Sequence, residues 1–173
     1  MKNKKPIKIL KPYKVSRQMN ESVKDERESV EFISKTLKGV SKDNSFIIKS
    51  NGINNPEDIT WKPQRIADQL VSLQDKIGLE EGNRGKRVYP MIYKLNKQEY
   101  EVSAEEVAGM VQELLGKYPT YQSVGVVVED MDDIHAGIIF NNYSSGFDKM
   151  TKQFKPYQMS NIYNQYIRKR NSG

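Results

Sequence analysis

The sequence predicts an α+β domain: a central, mostly antiparallel sheet with helices packed on it. Amphipathic helical runs alternate with short segments rich in β-branched residues, and no internal repeat or long linker interrupts them. The two strongest strand segments, VGVVVE (124–129) and HAGIIFNNY (135–143), are joined by a tight acidic connection, as in a hairpin. At 173 residues the chain is sized for one domain. It divides into a basic N-terminal arm or edge strand (1–20), the α+β domain proper (21–154), and a C-terminal helix with a basic tail (155–173).

Each element has its own warrant. KPIKILKPYKV (5–15) alternates loosely around two prolines, which suits an edge strand or an extended arm. Residues 21–37 place Val23, Val30, Ile33 and Leu37 on one helical face, with Gly39 as a stop. SFIIKSNGI (45–53) reads as a strand ending in an Asn-Gly turn. Pro63 opens a helix whose stripe is Ile66, Leu70, Leu73 and Ile77, and Gly78 closes it. EEGNRGKR (80–87) fits both a bland surface loop and a phosphate-contacting one. VYPMIYKL (88–95) is a strand that Pro90 keeps from being central and fully paired. Ser103 and Glu106 form a capping box ahead of the stripe Val107, Met110, Val111 and Leu114, with Gly116 as C-cap. The Val run of 124–129 predicts a strand that is central or covered on both faces. Residues 155–170 read as a helix with Met159, Ile162, Tyr163 and Tyr166 on one face.

Composition narrows the function. Formal net charge is +6, and residues 2–17 carry seven basic residues and no acid. A polyanionic partner is favoured. The candidate phosphate contacts are Lys4, Lys5, Lys8, Lys11, Lys14 and Arg17 in the arm, Arg84, Lys86 and Arg87 in the glycine-rich loop, and Arg168, Lys169 and Arg170 at the C-terminus. Cysteine is absent, so disulfides, thiolate metal sites and thiol nucleophiles are excluded. No apolar run reaches the roughly 18 residues of a membrane span, and the basic N-terminus lacks a signal-peptide core. The expected location is cytoplasmic.

The chain's one histidine, His135, follows four closely spaced carboxylates, Glu129, Asp130, Asp132 and Asp133. Crowded carboxylates tolerate one another best beside a cation, and oxygen ligands with one imidazole suit Mg²⁺ or Mn²⁺. Glu129, Asp132 and His135 are the candidate ligands. An acidic hairpin turn, in which Asp caps backbone donors, reads the same residues without any ion.

Around this motif the sequence resembles the relaxase domains of plasmid mobilisation proteins, in the HUH endonuclease superfamily. The resemblance rests on Asp130, Asp132, Ile134, His135, Ala136, Gly137, Ile138, Ile139, Phe140 and Asn141, on the strand–helix–strand unit before them, and on KSNGINN (49–55) and SVEFISKTLKG (29–39). It covers most of residues 20–145. It implies a relaxase-like sheet, a divalent metal held by three histidines, and a tyrosine nucleophile that attacks a DNA phosphate. Here only His135 is kept. Gly137 stands at the second histidine position, Val128 or Glu129 near the third, and Phe32 at the nucleophile position. Phenylalanine has no hydroxyl with which to form a phosphotyrosine. Tyr13, and less so Tyr89 or Tyr93, are the substitutes on offer. The resulting expectation is a non-catalytic or catalytically reduced protein that binds single-stranded or origin DNA at a plasmid or mobile-element transfer or replication origin. It would act with other mobilisation or replication proteins and hold no metal tightly. The alternatives are a divergent metal-dependent single-strand nickase and a protein-interaction module of a phage or plasmid complex.

Overall fold

The computed structural model describes residues 26–41, 43–78, 87–146, 148–150, 154–155 and 157–172. The arm (1–20), Tyr13, Val23 and the greater part of the glycine-rich loop, including Arg84 and Lys86, lie outside the described residues. Four strands, β1 (Ile47–Asn51), β2 (Val88–Asn96), β3 (Ser123–Glu129) and β4 (Asp133–Asn141), form one sheet in the order β1–β3–β4–β2. Every pairing is antiparallel. Pro90 lies in β2, an edge strand, where its missing N–H costs the least. The Val-rich β3 is central.

Among the described residues six helices accompany the sheet: α1 (Glu26–Val40), α2 (Asp58–Trp61), α3 (Pro63–Lys76), α4 (Lys97–Tyr100), α5 (Ala104–Gly116) and α6 (Gln158–Ser172). They cover both faces, giving three layers. On one face Met91, Tyr93, Leu95, Ile134, Ile138 and Phe140 pack with Val107, Met110, Val111 and Leu114 of α5 and with Met159, Ile162 and Tyr163 of α6. On the other, Ile92, Val124, Val126, Val128 and Ile139 meet Val30, Ile33 and Leu37 of α1 and Ile66 and Leu70 of α3. Strand alternation explains the split, since successive side chains point to opposite faces.

Two glycines let these layers approach. A Cβ at Gly125 would lie 2.5 Å from Val111 Cγ1 of α5. On the opposite face a Cβ at Gly137 would lie 2.6 Å from Leu37 Cδ1 and 2.9 Å from Ile33 Cγ2 of α1.

The local signals differ in how they are used. The capping box is present: Ser103 Oγ accepts from the Glu106 amide and Glu106 Oε1 from the Ser103 amide, both at 3.1 Å. Gly116 remains inside α5, and Lys117 takes the C-cap in a right-handed conformation. Gly39 likewise lies within α1, which runs to Val40. Gly78 follows α3 with φ +72°, a conformation that favours glycine. On α3 the buried positions are Ile66, Ala67, Leu70 and Gln74, while Leu73 and Ile77 are half-buried. Gln74 earns its burial through Asn141. Its Nε2 donates to Asn141 Oδ1 at 3.0 Å and to the Arg87 carbonyl at 2.9 Å. Asn141 Nδ2 donates in turn to the Leu70 carbonyl and to Gln122 Oε1. This network fastens α3 to the end of the sheet where β4 stops and β2 begins. No helix among the described residues is long and apolar enough to cross a membrane.

Candidate functional site

The acidic connection is a short hairpin whose register decides which side chains meet. Glu129 pairs with Ile134 and Val128 with His135. The Asp130 amide donates to the Asp133 carbonyl at 3.0 Å, so these two residues close the hairpin and Met131 and Asp132 form its exposed tip. With a period of two, Val128, Asp130, Asp133 and His135 share the α1 face, and Glu129 and Ile134 share the α5 face.

Asp130 is the centre of this group. Its Oδ1 accepts from the Asp133 amide at 2.7 Å and the Asp132 amide at 2.9 Å, and its Oδ2 lies 3.3 Å from His135 Nε2. The Asp133 amide first, then the Asp132 amide and the His135 ring, outweigh partial desolvation and hold the Asp130 carboxyl below its ordinary pKa. Asp133 lies 3.7 Å from Lys94 Nζ and 3.5 Å from Asn96 Nδ2. One ligand atom each from Asp130, Asp133 and His135 lie within 4.8 Å of one another.

The expected set of Glu129, Asp132 and His135 is therefore not the set brought together. Glu129 projects from the opposite face and pairs with Lys97 at 2.8 Å. Asp132 sits at the tip, engaged through its backbone amide. Asp133 was hidden because the second strand begins at 133, not 135. Once Glu129 is paired with Ile134, alternation alone places Asp130 and Asp133 with His135.

A divalent ion of the kind the resemblance implies fits these residues poorly. Both oxygens of Asp130 already hold the turn and the imidazole, and Asp133 lies beside the Lys94 ammonium. A cation would have to displace these partners, and the group offers one imidazole instead of three.

The rest of the resemblance-derived site is closed. Leu37 and Ile33 occupy the space a side chain at position 137 would need. Val128, across from His135, is buried in the α1-side core. Phe32 packs half-buried against that same core. Tyr93 is fully buried and belongs to the opposite face, where desolvation raises its hydroxyl well above the ordinary range and its OH lies 3.7 Å from Met91 Sδ. Tyr89 packs on that face too, with its pKa raised chiefly by burial.

The basic candidates separate in the same way. Arg87 is only 19% exposed, with Nη1 3.7 Å from Glu26 Oε1. Arg170 reaches Glu106 at 3.5 Å and Glu101 at 3.8 Å. Both guanidinium groups serve internal ion pairs. Arg168 and Lys169 are exposed.

No protein-family model, curated protein or solved structure matches this chain.

Proposed function

We propose that this protein binds single-stranded or origin DNA without cutting it, as a relaxase-like accessory at a mobile-element transfer or replication origin. The observation that carries the non-catalytic part is the packing around His135. Metal-assisted phosphoryl transfer needs an ion held beside the phosphate and a nucleophile in line with it. Here the neighbouring positions hold Val128 and a glycine whose free side is filled by Leu37 and Ile33, and the matching helix carries Phe32. The formal charge of +6 and the exposed Arg168 and Lys169 support a polyanionic partner.

The test is binding of an end-labelled single-stranded oligonucleotide at several salt concentrations. Log K should fall linearly with log salt, with a slope of roughly 0.7 for each phosphate neutralised. Binding that is absent or insensitive to salt refutes the reading and favours a protein-interaction module. The second reading, a metal-dependent nickase, draws on the Asp130–Asp133–His135 group. It predicts a covalent protein–DNA adduct in Mn²⁺ that a tyrosine-to-phenylalanine change abolishes.

A further inference from the structure

The only tryptophan in the chain, Trp61, is 60% exposed, unlike nearly all the other large apolar side chains described. It ends α2, whose Ile59 and Thr60 are buried and anchor the turn. Its ring stands edge-to-face with Phe46, centroids 6.1 Å apart at 89°. Phe46 in turn packs against the α1-side core. Ile47 pairs with Val127 and Val127 with Ala136, so Phe46, one residue back, stands in the row of Val128 and His135. Two strand spacings, about 10 Å, separate Phe46 from His135 along that row. The exposed indole thus belongs to the same face and the same end of the sheet as the candidate site.

We propose that Trp61 is a stacking platform for an unpaired base of single-stranded DNA, an inference that rests on the DNA-binding reading above. Trp61 is flanked by exposed Glu57 on one side and by exposed Lys62, Gln64 and Arg65 on the other, with Arg65 3.9 Å from Asp58. Lys62 is the cation next to the ring in sequence, and an aromatic face beside a cation suits a nucleotide, whose base stacks while its phosphate meets the charge. Duplex DNA cannot use the platform, because its bases are already stacked on one another. Bracing by Phe46 holds the ring before the ligand arrives, so little further ordering is needed on binding.

A single tryptophan makes the test direct. The full chain is titrated with an oligothymidylate longer than the roughly 4–16 nucleotides one fold occupies. Indole fluorescence and the anisotropy of an end label are followed together. Fluorescence should be quenched in step with anisotropy, and the matching duplex should leave it unchanged. Base–aromatic stacking corresponds to a loss of about 5- to 150-fold in affinity for Trp61→Ala, and Trp61→Phe should keep most of it. Far-UV circular dichroism checks that both variants fold, which the exposure of the ring leads one to expect. Anisotropy that rises while fluorescence stays constant, or Trp61→Ala binding like the wild type, overturns the stacking role and leaves DNA binding standing. No anisotropy change at any salt removes DNA binding and the platform together.

Discussion

Replacing Gly137 by alanine tests the closure of the seam between α1 and β4. The added methyl would lie 2.6 Å from Leu37 Cδ1 and 2.9 Å from Ile33 Cγ2, where carbon atoms prefer about 3.5–4.0 Å. Both neighbours are 1% exposed, so neither can swing into solvent. Overpacking of this kind costs roughly 1–3 kcal/mol. Alanine also restricts the unfolded chain, which returns about 0.4–1 kcal/mol, and Gly137 does not have the positive φ that would cancel that gain. From the middle of each range the expected net loss is about 1.3 kcal/mol. At roughly 2–4 °C per kcal/mol for a chain of this size, Tm should fall by about 3–5 °C. Urea unfolding followed by circular dichroism gives the value directly. Leu37→Ala provides the control, because it makes room for the methyl while itself costing about 2–5 kcal/mol. In that background Gly137→Ala should cost clearly less, a non-additivity that a double-mutant cycle reads out. A Gly137→Ala variant as stable as the wild type, or strict additivity with Leu37→Ala, would refute the packing argument.

The acidic turn supplies the remaining predictions. Asp130 has a depressed carboxyl pKa in the fold, so its contribution is fully present above its unfolded value near 3.9 and is lost as pH falls through the lower folded value. Asp130→Ala should therefore lower the urea midpoint at pH 7, and the gap to wild type should close as pH drops below about 4; a gap independent of pH would show that the turn does not depend on the ionised carboxylate. Calorimetric titration with Mn²⁺ should give no micromolar affinity, and His135→Ala should leave that result unchanged. Micromolar binding lost in His135→Ala would promote the nickase reading.

Local signals were legible where one residue type answers one backbone need. The Ser103–Glu106 box, Pro63 at a helix start and Pro90 on an edge strand all follow from hydrogen-bond donors that must be met or are missing. The Val run of β3 announced a strand covered on both sides. Register was not legible, because a shift of one residue exchanges the faces of a whole strand. Alternation sends Glu129 to the α5 face, the hairpin tip takes Asp132, and the earlier start of β4, at 133, is what brings Asp133 into the group. The burial of Gln74 was equally hidden, since its partner Asn141 lies 67 residues away. The short helices α2 and α4 carry too few residues for periodicity to show, so Trp61 gave no sign of being a braced, exposed ring.

The geometry at Gly137 ties fold and chemistry into one argument. A strand bearing a metal and a helix bearing a nucleophile must leave space between them for a phosphate. In this protein the glycine lets α1 settle against β4, and Ile33 and Leu37 fill the gap with buried aliphatic surface. A histidine introduced at position 137 would have to push α1 away from the sheet and expose that surface before it could serve as a ligand. A histidine at position 137 is therefore expected to destabilise the core. This packing, a buried aliphatic seam where a metal and a phosphate would have to fit, is what the proposed non-catalytic reading rests on.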